Sequence, residues 1–211
     1  MNNKQLAFKA AAATVIKNLE KRGINGFFCE SKSECLTLVE SLIPEGSTVS
    51  WGGSETIIET GIMNMLTTKN YQLIDRFDFK TPEEERIKYG QIVQSDYYLM
   101  SSNAITLEGE LVNIDGRGNR LACLLTGPRY VIMVIGMNKL TANTEAALSR
   151  VKNTAAPANV QRLKRDTPCF VSGRCHDCYS KDCICSSTVI TRRSQIPGRI
   201  KIVLVAEDLG Y

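Results

Sequence analysis

The sequence lacks the long apolar runs and the leader that membrane and secreted proteins require. Its longest apolar stretches, at 130–136 and 200–206, have the length of strands, far below the roughly 20 residues that cross a bilayer. The N-terminal residues lack the basic start, apolar core and small-residue cleavage site of a secretory signal. We therefore expect a cytoplasmic protein that does not insert into membranes.

Histidine is almost absent, and two common phosphate-binding motifs are missing. The single histidine, His176, lies inside a cysteine-rich stretch, so no histidine is left for a Ser–His–Asp triad. Neither a Walker loop nor a dinucleotide glycine fingerprint occurs at a predicted strand-to-helix turn. The sequence therefore gives no support for a Ser–His–Asp hydrolase, a Walker-type nucleotide-binding protein or a dinucleotide-binding enzyme with the usual glycine fingerprint.

The net charge of +4 is too small to indicate a nucleic-acid-binding protein, but the charge is unevenly distributed. Residues 150–201 contain eleven lysines and arginines against three aspartates. This basic quarter is either a solvated face or a surface that attracts an anion, such as a phosphorylated ligand, a partner protein or RNA.

The apolar pattern predicts an α/β fold. With 211 residues and 43% hydrophobic content, the chain can bury one large core, so residues 1–211 are expected to form one domain. Strand-length and helix-length segments alternate, which is typical of a mainly parallel sheet flanked by helices. Strands are predicted at 26–29, 48–51, 72–74, 97–100, 110–113, 130–135 and 200–205. Helices are predicted at 4–21, from the capping box at 31–34 to about residue 43, and at 54–66, 82–93, 119–125 and 143–153, with Pro157 ending the last run before a short helix to Lys164.

Five of the eight cysteines fall within seventeen residues near the C-terminus. The segment 168–187 that contains them is polar and aperiodic, and we interpret it as an insertion before the last strand. Four thiolates can hold zinc or an iron–sulfur cluster, whereas free or redox-active thiols are the alternative. The spacing C-x5-C-x2-C-x6-C selects as candidate metal ligands Cys169, Cys175, Cys178 and Cys185. Cys183 is an additional thiol, and His176 is a bystander or a substitute ligand.

Polar and glycine-rich stretches follow several predicted strands. Because a parallel sheet places the loops at the carboxyl ends of its strands on one edge, we expect them to form one pocket that binds a small anion. Glycines there let backbone amides approach the ligand, and an arginine can clamp a carboxylate or phosphate. The alternative is a set of ordinary turns. The candidate ligand-binding residues are Gly52, Gly53, Ser54, Thr56, Asn103, Thr106, Asn119, Arg120, Asn138 and Lys139.

Two carboxylates in these stretches are candidates for general acid–base catalysis. Glu108 and Asp115 both lie in the polar region 101–120. Carboxylates in loops are more often solvated than catalytic, so the sequence leaves both roles open.

The chain resembles the lactate-utilisation (LUD) domain family. The resemblance covers nearly the whole chain and includes the cysteine segment. It rests on the motifs 50–56, 59–61, 102–106, 113–120, 127–128, 136–139, 156–157 and 209–211. It implies a three-layer α/β fold similar to the ribose-5-phosphate isomerase and CoA-transferase superfamily, in which ligands sit over strand-end loops.

The resemblance also implies a role in organic-acid metabolism. Some family members are subunits of a complex that oxidises lactate, and this chain looks like a short branch with its own cysteines. We expect a redox-linked accessory or catalytic protein that binds a small anionic metabolite, with other redox subunits or a second copy of the chain as candidate partners. The alternatives are a metabolite-sensing or docking module without catalysis, and a transferase or ligase acting on CoA- or folate-type molecules.

Overall fold

A six-stranded parallel sheet forms the centre of the structure, a computed structural model that describes residues 2–211. The six strands predicted at 26–29, 48–51, 72–74, 97–100, 130–135 and 200–205 are all present in this sheet. In spatial order the strands are β1 (Asn25–Cys29), β10 (Ile200–Val205), β7 (Tyr130–Gly136), β4 (Tyr97–Met100), β2 (Thr48–Trp51) and β3 (Gln72–Leu73).

Helices cover both faces of this sheet, which confirms the three-layer α/β fold. One face packs against α1, α5 and α6, and the other against α2, α3 and α4. Alternate residues of β7 enter the two cores: Val131 and Met133 on the first face, Ile132 and Val134 on the second. The helices are α1 (Asn3–Lys21), α2 (Lys32–Leu42), α3 (Glu55–Glu59), α4 (Ile62–Thr68), α5 (Pro82–Val93), α6 (Asn119–Leu125), α7 (Thr144–Arg150), α8 (Ala156–Leu163) and α9 (Pro168–Ser172).

A second, four-stranded sheet was not expected from the sequence. Its spatial order is β8 (Leu140–Thr141), β5 (Ala104–Thr106), β6 (Leu111–Asp115) and β9 (Ser187–Thr191). Only β6 had been predicted, because the other strands are short or follow the turn-rich and cysteine-rich stretches. The antiparallel pairing of β9 with β6 brings the end of the cysteine segment beside the 113–120 motif.

The helix predicted at 143–153 does not end before Pro157 but continues through it. A π-helical turn, Val151–Ala155, joins α7 to α8, and the amide of Ala156 donates to the carbonyl of Val151. Pro157 follows this turn near the start of α8, and the π-helical turn takes up the irregularity that its ring and missing N–H impose on a continuous helix. The continuous helix carries Asn159 and Arg162 over the strand ends.

Two further local predictions differ from the structure. The helix expected at 54–66 is divided into α3 and α4 at Gly61, whose φ of 75° lies in the left-handed region. The cysteine segment contains the short helix α9, although none of its residues is buried. Within residues 2–211, no helix is both long and apolar enough to cross a membrane.

Candidate functional site

Seven of the ten predicted ligand-binding residues line one cavity of about 380 Å³, which we call the polar cleft. It lies where β2, β4 and β7 end, between the turn that joins β6 to α6 and the helix α8. Asp115 also lines it, as does Cys185 of the cysteine segment. The seven residues are Gly53, Ser54, Thr56, Asn103, Asn119, Arg120 and Lys139.

The other three predicted ligand-binding residues support the cleft or lie apart from it. Gly52 does not line the cleft but lies next to Arg120, which does: a Cβ added to Gly52 would lie 3.5 Å from Cδ of Arg120. Asn138 holds the C-terminal segment, because its Oδ1 accepts from the amide of Leu209 at 3.2 Å. Thr106 is fully buried in β5, and its hydroxyl accepts from the amide of Glu110.

The two candidate catalytic carboxylates are separated by the fold. Glu108 is exposed in the turn between β5 and β6, where its carbonyl accepts from Nε of Arg22. Asp115 lies in the polar cleft, and its Oδ1 is 3.5 Å from Nε of Arg120. Its second oxygen, Oδ2, is buried without a hydrogen-bond partner among residues 2–211. Only Asp115 therefore has a position from which it could act on a ligand in the cleft.

Arg120 organises the wall of the polar cleft. Its Nη1 donates to Oδ1 of Asn113 at 2.7 Å and to the carbonyl of Ser101 at 3.3 Å. Its Nη2 donates to Oδ1 of Asn103 and to the carbonyl of Ile114, both at 3.0 Å. With Nε against Asp115, each nitrogen of the guanidinium already has a protein partner. The side chain is only 13% exposed, so Arg120 joins β6, α6 and the segment after β4 into one rigid unit.

Lys139 is the most buried cation of the cleft. It ends the 3₁₀ turn Met137–Lys139 that follows β7, and it is 3% exposed. Its Nζ donates to the hydroxyls of Thr56 at 2.9 Å and Ser101 at 3.1 Å. Burial, reinforced by the charge of Arg150, lowers the pKa of Lys139 to about 7. The amine therefore exchanges its proton near neutral pH, which suits acid–base chemistry.

Two further arginines, which the site prediction had not included, flank Gly53. A Cβ added to Gly53 would lie 3.8 Å from Nη2 of Arg162 and 4.0 Å from Nη2 of Arg76. The sequence marked Arg162 only as one of the basic residues in 150–201, and this was the one signal that could have indicated it as a site residue. Arg76 lies in the loop after β3, where no periodic pattern or motif marks it.

The charge of the lining favours an anion. Six basic side chains line the polar cleft against two carboxylates, and the acids are paired: Glu55 with Arg162 at 3.4 Å, and Asp115 with Arg120. A third nearby acid, Glu59, accepts the amide of Gly210 at 2.8 Å. The basic residues are Arg76, Arg117, Arg120, Lys139, Arg162 and Arg165.

The C-terminal residues close one side of the cleft. A Cβ added to Gly210 would lie 2.6 Å from Oγ1 of Thr56 and 3.3 Å from Nζ of Lys139, so only glycine fits there. The hydroxyl of Tyr211 is buried without a hydrogen-bond partner among residues 2–211.

The cysteine segment borders the polar cleft through Ile184 and Cys185. All five of its cysteines are half-buried, and amides donate to two of the sulfurs: Asp177 to Cys175 at 3.3 Å and Cys185 to Cys183 at 3.4 Å. Burial raises the pKa of Cys185 to about 12, with smaller contributions from Cys183, Cys175 and Cys169.

These thiols have the right chemistry for a soft metal but are not arranged as a closed ligand cage. Within residues 2–211, no three Cys, His, Asp or Glu side chains are grouped so that they could hold a metal ion. His176 is turned to Ser172, with Nε2 2.6 Å from its hydroxyl.

Comparisons with known proteins agree with this fold. The model of the LUD domain family matches residues 12–205. The crystal structure of a DUF162 family protein from Deinococcus radiodurans is similar, with a TM-score of 0.58 at 12% sequence identity, covering 94% of this chain and 98% of that chain. At this identity the likeness concerns the fold alone. The search of curated proteins found no match.

Proposed function

Because the chain belongs to the LUD domain family, we propose that it serves organic-acid metabolism by binding a small carboxylate or phosphorylated metabolite in the polar cleft. The observation that supports this most is the pair of guanidinium groups beside Gly53. Both Nη2 atoms lie within 4.0 Å of one point at a glycine, where no side chain fills the space. A carboxylate or phosphate placed there would meet two cations.

Lys139 is the candidate reactive group of this site. A primary amine with a pKa of about 7 can accept a proton from a bound acid or return one to it at neutral pH. Asp115 is a second candidate, since its Oδ2 is unpaired among the described residues. Arg120 is better suited to hold these groups than to bind the ligand, because its nitrogens already have protein partners.

Thermal shift measurements test the proposal. Lactate, pyruvate, inorganic phosphate and sugar phosphates would be compared with neutral analogues of similar size. An anion at a hundredfold excess over its Kd adds about 2.7 kcal/mol of stability, which is a shift of several degrees in a domain of this length.

The matched variants are Arg162→Gln and Arg193→Gln. We expect Arg162→Gln to weaken anion binding about tenfold, since it removes one cation and leaves Glu55 unpaired in the cleft. Arg193 is exposed outside the cleft, so its variant should bind normally. Equal stabilisation by neutral compounds, or unchanged binding in Arg162→Gln, would contradict the proposal.

We propose further that Cys169, Cys175, Cys178 and Cys185 hold zinc or an iron–sulfur cluster. Support comes from the thiol chemistry and from the N–H···S bond that the amide of Asp177 donates to Cys175, since such a bond stabilises sulfur in its charged form. An electron-transfer centre there would adjoin the polar cleft through Cys185, which would suit a redox role and a redox partner.

Metal analysis and an absorption spectrum after anaerobic purification test the metal proposal. Cys183 is an alternative to Cys178 as the fourth metal ligand, because Cys183 lies close enough to Cys185 to raise the pKa of Cys185. Loss of metal in Cys178→Ser but not in Cys183→Ser would support the proposed set. The reverse result would replace Cys178 by Cys183, and absence of both zinc and iron would end the proposal.

A further inference from the structure

A second cavity of about 500 Å³ adjoins the polar cleft. It lies between α5 and α6, at the end of β2 and under the loop that follows β3. We call it the aromatic chamber. Its aromatic residues are Trp51, Phe77, Phe79, Tyr89 and Tyr98.

Aromatic side chains are concentrated in this chamber. The chain has one tryptophan, seven tyrosines and six phenylalanines, and five of these residues line this one cavity. Tyr98 belongs to the core, and Tyr89 and Trp51 pack against it, but Phe77 is 67% exposed at the mouth. An aromatic ring that is exposed to water at a cavity mouth is stabilised when a flat apolar group covers it.

The charges around the rings favour an anion. Arg76, Arg86 and Arg117 line the chamber against one acid, Glu85, which pairs with Arg117 at 2.7 Å. The guanidinium of Arg76 lies 4.5 Å from the centre of the Phe77 ring, so a cation and an exposed aromatic face occur together.

The chamber and the polar cleft meet at residues that line both cavities. These shared residues are Arg76, Phe77, Arg117 and Asn119. A ligand whose ring enters the chamber would therefore place a tail among the two shared arginines, with its far end directed into the polar cleft.

We propose that the aromatic chamber binds a flat heteroaromatic ring that carries a phosphate, as in a nucleoside phosphate. The ring stacks against Phe77 and Trp51, and the phosphate binds Arg76 and Arg117. This inference goes beyond the small-anion site at Gly53, from which it differs in depending on the rings of the chamber.

The single tryptophan makes the proposal directly measurable. Trp51 lines the chamber, so the intrinsic tryptophan fluorescence of the whole protein comes from a residue of this cavity. The probes are AMP, flavin mononucleotide, adenosine and inorganic phosphate. We expect saturable quenching by AMP or by flavin mononucleotide, with the tighter of the two identifying the ring. Adenosine should bind at least tenfold more weakly than AMP.

Two variants and two controls separate stacking from charge. Phe77→Ala should weaken binding of the better nucleotide about tenfold, consistent with the loss of one stacking surface. Arg76→Gln should weaken the nucleotide but not adenosine. Tyr179→Ala and Arg193→Gln, which alter an exposed ring and an exposed cation outside both cavities, should change neither.

Absence of saturable quenching by either nucleotide, or full binding in Phe77→Ala, would overturn the proposal. Equal binding of adenosine and AMP would overturn the phosphate assignment. The two sites can fail separately. If no nucleotide binds but phosphate still stabilises the protein, only the chamber proposal is rejected. If no small anion stabilises the protein but nucleotides still quench the fluorescence of Arg162→Gln, only the Gly53 site is rejected.

Discussion

The polar cleft and the cysteine segment are held in place in opposite ways. The cleft is built on the ends of fully buried strands, and its central cation, Arg120, is fixed by partners on several elements. The cysteine segment buries none of the residues of its helix α9, and it is tied to the neighbouring helix by exposed contacts such as the ion pair of Lys152 with Asp177. The cleft is therefore pre-organised by the fold, whereas the segment would be the region stabilised most if it bound the proposed metal.

Among the changes that test this contrast, Arg120→Met is expected to cause the largest loss of stability. The substitution leaves Asp115 without its cation and removes one of the two donors to Asn113 Oδ1, the other being the amide of Asn103. Breaking such a buried network costs about 3–5 kcal/mol in the free energy of unfolding, measurable by urea denaturation. Arg193→Met, at an exposed position, is the control and should cost less than about 0.5 kcal/mol. A loss below about 1 kcal/mol for Arg120→Met would show that the cleft is not held by this residue.

The next effect is the pH dependence caused by Lys139. Burial lowers the pKa of Lys139 from 10.5 in the unfolded chain to about 7 in the folded protein. Between these values the unfolded chain binds more protons, so the free energy of unfolding rises with pH by up to about 1.4 kcal/mol per unit. Below the folded pKa both states are protonated and this dependence disappears.

Lys139→Met isolates this contribution. The other titrating groups are common to both proteins, so the wild type should gain stability relative to the variant as the pH rises above 7. Anion binding should respond in the opposite direction, weakening as Lys139 loses its charge. A difference between the two proteins that stays constant from about pH 6 to pH 9 would contradict the assigned pKa.

A smaller effect is expected from the cysteine segment. If Cys175 binds a metal, Cys175→Ser should lower the free energy of unfolding of the metal-loaded protein by about 1 kcal/mol, or roughly 2–4 °C in Tm. The same variant should have little effect after chelation. Hydrogen exchange should accelerate within 168–187 while the amides of the central sheet stay protected. Acceleration throughout the sheet would mean that the two regions are not independent.

The same contrast explains how much of the molecule could be predicted from the sequence. The interior strands and the helix at 82–93 were predicted, because their signals are local: unbroken apolar runs, and the residues of a capping box with a proline at the first helical position. The second sheet was missed, since β9 pairs with a strand more than seventy residues earlier and β8 has only two residues. Such short strands are specified by their partners rather than by their own sequences.

The sequence predicted that the candidate ligand-binding residues lie together in one cleft, but not which contacts their side chains make. The strand-end rule placed Gly53 and Lys139 in one cleft because it follows from sheet geometry. The rule could not show that the guanidinium of Arg120 is already hydrogen-bonded to Asn103 and Asn113, because this network depends on side-chain packing. Arg76 could not be anticipated either, since only the fold brings its loop to Gly53.

The smallest effect on stability is expected from Gly53→Ala, which would separate binding from folding. An added Cβ would lie no closer than 3.8 Å to the atoms around it, an ordinary contact, so we expect the free energy of unfolding to change by less than about 0.5 kcal/mol. The methyl group would nevertheless occupy the space between Arg76 and Arg162, and the affinity for a small anion should fall about tenfold in the thermal shift assay. Gly90→Ala is the matched control: it has open space around it on α5, and it should be neutral or slightly stabilising without affecting binding. An anion affinity unchanged in Gly53→Ala would place the binding site elsewhere in the cleft, and a large loss of stability would show that Gly53 is needed by the fold rather than by the ligand.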